Sequence, residues 1–231
     1  MKRSSIAVLL AAFVLLSACA AGDEVRATGN NGAFVDVKEF IPSVRLDVRY
    51  YTNENFVGSR IDGYDAPKCL LTREAAAALK NVQEELARNR RSLKIFDCYR
   101  PQQAVDRFIR WAKDLNDQKT KSKYYPSVDK EDLFKNGYLA EKSGHSRGST
   151  LDLTIVDVES QQELDMGTEF DFFDPLSHTV NNRITKSQQD NRIALKSAME
   201  RNGFKNLEEE WWHFTLNNEP YPDKYFDFKV R

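Results

Sequence analysis

The segment Ser143–Thr154, "SGHSRGSTLDLT", carries His145 seven residues before Asp152. One glycine precedes the histidine and another follows it after three residues. Glycine adopts backbone conformations that other residues avoid, so this spacing predicts a tight loop that presents the imidazole. β-Branched and apolar residues alternate over Ser149–Val158, which predicts a strand that carries the aspartate. The histidine and the aspartate are therefore candidate metal ligands.

Helices and strands are interleaved along the rest of the chain. Apolar residues recur at intervals of three and four in three segments, which predicts amphipathic helices over 72–90, 102–115 and 186–201. Composition predicts further strands within 34–52 and over 93–101 and 210–216. The strands are short and their connections are long. This pattern favours an α+β fold, with a small antiparallel sheet and flanking helices, over a doubly wound parallel sheet.

The composition is that of an ordinary globular protein. The 231 residues suffice for one domain with a substantial core, and 41% of them are apolar and 30% charged. The 34 basic and 35 acidic side chains give a net charge of −1. A nucleic-acid-binding protein usually has a basic excess or stripe, so we expect no nucleic-acid partner.

The first residues have the pattern of an export signal. Lys2 and Arg3 precede an apolar run over 6–16, which is too short to cross a bilayer as a helix. The run ends in "LSAC", Leu16–Cys19, which resembles the lipobox of bacterial lipoproteins. We therefore expect an exported, periplasmic protein that is anchored to the membrane through a lipid on Cys19.

The alternative is an ordinary secretory signal that is cut near Ala18 or Ala21, which also predicts export. The lipoprotein interpretation divides the chain into a signal peptide (1–18), a lipidated cysteine with a tether (19–33) and a folded domain (34–231).

Two cysteines, Cys69 and Cys98, remain in the expected mature chain. An exported compartment permits a disulfide between them, and two buried free thiols are the alternative. They lack the C-x-x-C spacing of a metal site, so we expect no metal role for either cysteine.

A third candidate ligand is His213 in the segment "EWWHF", and Glu210 lies three residues before it. Catalytic zinc usually takes three protein ligands and leaves a fourth position for water. A hydrolase also needs a carboxylate that accepts a proton from that water. Positions 210 and 213 of a plain strand point to opposite faces, so we expect Glu210 in a turn or bulge at the strand's start.

A lone histidine is more often a hydrogen-bonded structural residue than a ligand. This chain has only three histidines, however, and two of them have a carboxylate at close spacing. The third, His178, is expected to support a ligand or to be structural rather than to bind the metal itself, because the three-ligand set is complete without it. The charged segment "VDKEDLFK", 128–135, is expected to form a solvated face.

Several segments together resemble one family, the zinc D-alanyl-D-alanine dipeptidases of the VanX type. "SGHSRGSTLD" is similar to their S-x-H-x-x-G-x-x-x-D signature, "EEWWHF" to their E-x-W-H element and "IFDCYRP" to their D-x-Y-R-P element. The resemblance extends from about Val44 to the C-terminus. It implies the α+β zinc fold that is shared with lysostaphin-type endopeptidases and hedgehog domains.

The resemblance also implies a role for each matching residue. It implies one Zn²⁺ per chain, held by His145, Asp152 and His213, with Glu210 as general base. Arg100 would stabilise the oxyanion of the tetrahedral intermediate, since a fixed guanidinium suits developing negative charge.

For the substrate, the resemblance implies that Asp171 binds the free ammonium and that Ser143 contacts the carboxylate. The expected reaction is hydrolysis of the D-alanyl-D-alanine dipeptide to two D-alanines, linked to turnover or recycling of cell-wall peptides. One alternative is a D,D- or L,D-carboxypeptidase that acts on peptidoglycan stem peptides. An open groove would favour this alternative. Another is a non-catalytic, zinc-stabilised lipoprotein that binds the cell wall, which would need neither Glu210 nor Arg100.

Overall fold

The computed structural model describes residues 32–231. The predicted signal peptide, Cys19 and nearly all of the predicted tether lie outside the described residues. Within this range, the structure contains no helix with the length and apolar character that crossing a membrane requires.

Residues 32–231 form seven strands and five α-helices, joined by turns and short 3₁₀ segments. The strands are β1 (Phe34–Asp36), β2 (Arg45–Leu46), β3 (Leu70–Thr72), β4 (Arg91–Asp97), β5 (Thr150–Asp157), β6 (Phe204–Asn206) and β7 (His213–Leu216). The helices are α1 (Val37–Phe40), α2 (Arg73–Ala87), α3 (Gln102–Lys113), α4 (Lys121–Tyr124) and α5 (Lys186–Arg201).

The main sheet has five strands in the order β2-β4-β5-β7-β6, and β1 pairs with β3 in a separate two-stranded sheet. The pairs β4–β5, β5–β7 and β6–β7 are antiparallel, as predicted. The edge strand β2 runs parallel to β4, so the main sheet is mixed rather than wholly antiparallel. The predicted α+β class is confirmed.

The three long helices lie where the apolar periodicity predicts them. The Thr72 hydroxyl accepts a hydrogen bond from the amide of Ala75 and caps α2. Thr185 and Gln188 form a reciprocal capping box at the start of α5. The short helix α1 was not predicted, because its four residues lie within a segment of strand-type composition; the Asp36 side chain caps it.

The charged segment 128–135 is solvated for the most part, as predicted: three of its five charged side chains are exposed and a fourth is half-buried. Lys130 is the exception. Lys130 is only 2% exposed. Its ammonium donates to the carbonyls of Trp111 (2.9 Å) and Asp114 (2.8 Å) at the end of α3, and it lies 4.0 Å from the centre of the Trp111 ring. The long aliphatic stem of lysine can be buried when carbonyls satisfy the ammonium.

Neighbouring strands bring the polar residues of the site into register. Asp152 on β5 pairs with Asp97 at the end of β4 and with His213 at the start of β7. Buried apolar side chains flank these residues along the strands, including Leu151, Leu153 and Phe214. The carboxylate and the imidazole therefore project from a rigid and well-packed part of the sheet.

Candidate active site

The structure brings the three predicted ligands together. Nε2 of His145 lies 3.3 Å from Oδ2 of Asp152 and 3.3 Å from Nδ1 of His213. Nδ1 of His213 lies 3.1 Å from Oδ1 of Asp152. Each of the three residues offers one ligand atom, and these atoms all lie within 4.8 Å of one another. They converge from a 3₁₀ turn and two adjacent strands.

The environment of Asp152 fits a cation. Its Oδ1 atom is buried and accepts no hydrogen bond from the described residues, although an imidazole nitrogen lies beside it. Burial alone would raise the pKa of Asp152, but His145 and His213 hold it well below the usual value, so the carboxylate is charged. A buried charged carboxylate with one oxygen that lacks a donor, and with an imidazole nitrogen beside each oxygen, is the donor set of a transition-metal site.

A backbone carbonyl orients the His145 ring. Nδ1 lies 2.7 Å from the carbonyl oxygen of Cys98, so Nδ1 carries the proton and Nε2 keeps its lone pair for a metal. The ring projects from a 3₁₀ turn that Gly148 ends at φ +84°. A Cβ at Gly148 would lie 2.2 Å from the Phe34 ring, so only glycine fits. The predicted tight loop is confirmed.

Glu210 lies in the turns that precede β7, as the strand periodicity required. Its amide donates to the carbonyl of Leu207, and its own carbonyl accepts from the amide of His213. Its Oε2 atom lies 3.4 Å from Nδ1 of His213. Burial, opposed by the charge of His213, raises the pKa of Glu210 to about 7. A carboxyl group with this pKa can both accept and return a proton near neutral pH.

Arg100 lies beside the three ligands and is fixed by a second carboxylate, Asp97. Its Nε atom donates to Oδ2 of Asp97 at 2.9 Å, and its Nη2 atom lies 3.4 Å from Oδ2 of Asp152. The Asp97 side chain is fully buried, accepts a 2.6 Å hydrogen bond from Tyr64 and lies 3.5 Å from Nδ1 of His145. One carboxylate therefore fixes the guanidinium and also adjoins a candidate ligand.

Asp171 is a buried carboxylate in an unusual backbone conformation. Its φ angle is +61°, in the left-handed region that few residues other than glycine adopt. Its Oδ2 atom accepts a 3.0 Å hydrogen bond from the hydroxyl of Tyr50. Burial raises the pKa of Asp171 well above the usual value, and the charge of Asp152 adds to the effect. A backbone held in this way is common at binding sites, where the strain is part of the function.

All seven residues that were assigned to catalysis, metal or substrate line one cavity of about 230 Å³. The seventh, Ser143, caps the 3₁₀ turn by accepting from the His145 amide, which leaves its O–H free to donate. Aromatic side chains, including Phe173 and Tyr138, complete the walls. A larger cavity, of about 1080 Å³, is lined by the segment 161–170 and by β2, and none of the seven residues lines it.

Cys69 and Cys98 form a disulfide in the structure, with their Cα atoms 5.2 Å apart. It joins the residue before β3 to the residue after β4. Cys98 also supplies the carbonyl that holds the His145 ring. The disulfide therefore lies directly behind the three-ligand cluster.

Comparison with known families agrees with this geometry. The profile of the Peptidase M15 family, described as D-ala-D-ala dipeptidase, matches residues 30–231. The chain belongs to this family. Peptidase M15 members are metallopeptidases, which is consistent with the cluster of His145, Asp152 and His213.

Three relatives named D-alanyl-D-alanine dipeptidase cover most of this M15 chain. The relative from Enterococcus faecalis is 42% identical over 197 residues, which is 85% of this chain and 98% of the relative. The relative from Enterococcus faecium is 40% identical over 198 residues, covering 86% and 98%. The relative from Streptomyces coelicolor is 40% identical over 199 residues, also covering 86% and 98%.

Two residues of the M15 site were not assigned from the sequence. Asp97 was visible in the "FDCYRP" segment, where a carboxylate at the end of a buried strand precedes an arginine by three residues. Tyr50 carried no such signal, because it is one of two tyrosines in a segment that resembles a strand. Only the fold shows that it contacts Asp171. His178 lies outside the three-ligand cluster, and its carbonyl accepts from Arg192.

Proposed function

We propose that this M15 chain is a zinc-dependent dipeptidase that hydrolyses D-alanyl-D-alanine to two D-alanines. One observation carries the proposal. The candidate ligands, a carboxylate with a pKa of about 7, a guanidinium and a buried second carboxylate all line one cavity of about 230 Å³. The names of relatives that are 40–42% identical support the choice of dipeptide.

Zinc fits the three donor groups. His145 would bind through Nε2, His213 through Nδ1 and Asp152 through its carboxylate, and two imidazoles with one carboxylate are a usual ligand set of catalytic zinc. When bound, zinc would act as a Lewis acid and lower the pKa of water to about 7. The orphaned Oδ1 of Asp152 and the fixed His145 ring are what the chain itself contributes to such a site.

Glu210 would act as the general base and then as the general acid. It would accept a proton from the attacking water and return it to the nitrogen of the breaking peptide bond. A pKa of about 7 suits both steps near neutral pH, and its position next to His213 directs it at the reacting atoms.

Arg100 would stabilise the negative charge that develops on the carbonyl oxygen of the scissile bond. The Asp97 carboxylate holds it, and its guanidinium carbon lies 4.9 Å from the centre of the Tyr50 ring, so the group is oriented before substrate binds. A donor that does not reorganise during the reaction stabilises the transition state more than a mobile one.

Asp171 would bind the ammonium of the substrate, and Ser143 would donate to its carboxylate. A buried carboxylate is stabilised when it pairs with a cation, so a free amino terminus would be required. The cavity is smaller than the ~300–1,000 Å³ that is typical for drug-sized ligands, which favours a dipeptide over a stem peptide. Both features favour a dipeptidase over a carboxypeptidase.

A substrate panel tests the proposal. The zinc-loaded protein is incubated with D-Ala-D-Ala, L-Ala-L-Ala, N-acetyl-D-Ala-D-Ala and a stem peptide that ends in D-Ala-D-Ala. We expect rapid release of D-alanine from the free D,D-dipeptide alone. Release from the stem peptide or the acetylated dipeptide at the same rate would indicate a carboxypeptidase. If no peptide releases D-alanine, the result would indicate the alternative of a non-catalytic lipoprotein that binds the cell wall.

We also propose that the protein is exported and attached to a membrane on the periplasmic side through a lipid on Cys19. The apolar run that ends in "LSAC" supports this, and so does the disulfide, since disulfides persist in oxidising compartments. Cells that are fed a fatty-acid analogue should label the wild-type protein and not Cys19→Ala. A wild-type protein that takes up no label and is cut after Ala21 would show a plain secretory signal instead.

A further inference from the structure

Arg192 is a fully buried arginine to which the proposed mechanism gives no role. It lies on α5 and is 0% exposed. Burial lowers the pKa of Arg192 to about 10, so the guanidinium stays charged at neutral pH. Its hydrogen bonds go to backbone carbonyls: Nε donates to Met166 (2.7 Å), and Nη1 donates to Leu176 (2.9 Å) and His178 (2.5 Å). A buried charge is costly and persists where it satisfies several acceptors.

These three carbonyls lie at the two ends of one segment, 166–178, here called the 166–178 loop. Apart from the 3₁₀ turn Pro175–Ser177, the loop has no regular secondary structure. Met166 lies at its first residue, and Leu176 and His178 lie at its end. One guanidinium therefore holds both ends of the loop together.

Asp171 lies in the middle of the 166–178 loop, and its conformation needs such support. A φ of +61° is strained for a non-glycine residue and persists only where the surrounding structure enforces it. Inside the loop, the hydroxyl of Ser177 donates to the carbonyl of Phe172, and the Thr168 hydroxyl lies 3.2 Å from that of Ser177. The contact between Thr168 and Ser177 likewise joins the two ends of the loop.

We propose that Arg192 is a positioning residue that sets the requirement for a free amino terminus, because it closes the 166–178 loop and so holds Asp171 in the cavity. The inference rests on the proposed function of Asp171. Arg192 itself touches neither the cavity nor the three ligands. Its effect on the substrate is therefore transmitted through the loop.

The chain offers a matched control, Lys130. It is also a buried cation whose hydrogen bonds go to backbone carbonyls, but these belong to the end of α3 and not to the loop. Arg192→Met and Lys130→Met both remove a buried charge and leave carbonyls without donors. Both substitutions should lower the unfolding temperature. Only Arg192→Met should change the preference of the cavity for a substrate with a free amino terminus.

The test measures the affinity of the zinc-loaded protein for a hydrolysis-resistant D-Ala-D-Ala analogue with a free amine and for its N-acetylated form. The readout is the ratio of the two affinities and not a rate of hydrolysis. The carbonyl of Ser177 in the loop accepts a hydrogen bond from the amide of Trp211, next to Glu210, so a change in the loop could alter the rate through Glu210 as well. We expect Arg192→Met to lower the ratio about tenfold or more. Arg192→Lys should give an intermediate ratio, and Lys130→Met the wild-type ratio.

A second readout keeps the test decisive. Amides of 166–178 should exchange with solvent faster in Arg192→Met or, where that variant does not fold, in Arg192→Lys. In the Asp171→Ala background, the Arg192 substitution should lower the ratio no further. If Asp171→Ala lowers the ratio of affinities but no Arg192 substitution does, the inference about Arg192 is overturned and the proposed role of Asp171 stands. A wild-type ratio in Asp171→Ala would reject the amine-binding role on which it rests.

Discussion

Nδ1 of His145 lies 2.7 Å from the carbonyl oxygen of Cys98, so a residue of the disulfide orients the ring of a candidate metal ligand. The opposite nitrogen of that ring faces Asp152 and His213. In the other direction, the amide of Arg100 donates to the carbonyl of His145. The segment after β4 and the turn that carries the imidazole therefore hold each other in place.

The first prediction concerns this disulfide. The Cys69→Ala/Cys98→Ala variant should lose about 3–4 kcal/mol of unfolding free energy, because the bond closes a loop with a sequence separation of 29. Its zinc affinity should also fall, since the Cys98 carbonyl is less restrained. Denaturant unfolding and a zinc titration measure the two effects, with oxidised and reduced wild type as controls. Equal unfolding free energies for all three proteins would contradict the prediction.

The second prediction concerns Asp97. Asp97→Asn places an amide where Oδ2 now accepts from Arg100 and adjoins Nδ1 of His145. We expect zinc affinity to fall about 10–100-fold, the usual effect of losing a group that supports a metal ligand, and kcat to fall with it. Tyr64→Phe is the control, because it removes only the hydroxyl on Oδ1 and should have a smaller effect. Wild-type zinc affinity in Asp97→Asn would count against a supporting role.

The third prediction concerns the pH dependence that Asp171 confers. Burial raises the pKa of this carboxyl group in the folded protein, so folding favours its protonated form. The stability that it contributes is present below its unfolded pKa of about 3.9 and is lost as pH rises through the folded pKa. Without dipeptide, Asp171→Asn should therefore become increasingly more stable than wild type as pH rises. Chemical unfolding at several pH values measures the difference.

The same substitution should weaken binding of the free dipeptide at high pH, where the wild-type carboxylate is charged. The charge on Asp171 would thus destabilise the folded protein without substrate and stabilise its complex with the dipeptide. A stability difference that is the same at every pH would show that Asp171 does not titrate as its burial requires.

Much of the site could be predicted because its chemistry is local in sequence. The glycines around His145 and the spacing of Glu210 and His213 predict a loop and a turn, and the structure has both. The apolar periodicity likewise predicted α2, α3 and α5. These features depend on residues within a few positions of one another.

The rest could not be predicted because it depends on contacts between distant segments. Tyr50 and Asp171 are 121 residues apart, and Arg192 reaches back 26 residues to Met166. The charged segment around Lys130 predicts a surface residue, and only the folded structure shows that Lys130 packs against the end of α3. The parallel pairing of β2 with β4 is a tertiary feature of the same kind, since two residues carry no pattern.

The fourth prediction concerns Arg100. Arg100→Ala should keep its zinc and lose about 10²–10³-fold in kcat, as expected when one oxyanion donor is removed. Arg100→Lys should not restore the rate, because one ammonium cannot hold Asp97 and also reach towards Asp152 as the guanidinium does. If Arg100→Ala raised KM and left kcat unchanged, the residue would bind the ground state and not the transition state.

The most direct test of the account is a comparison of Glu210→Gln with His213→Ala, in which zinc content and hydrolysis of D-Ala-D-Ala are measured on the same samples. His213→Ala removes a ligand, so zinc and activity should be lost together. Glu210→Gln leaves all three ligands in place, so it should still bind about one zinc while kcat falls ~10²–10⁴-fold. Loss of zinc from Glu210→Gln, or full activity with zinc bound, would contradict the assignment of Glu210 as the general base.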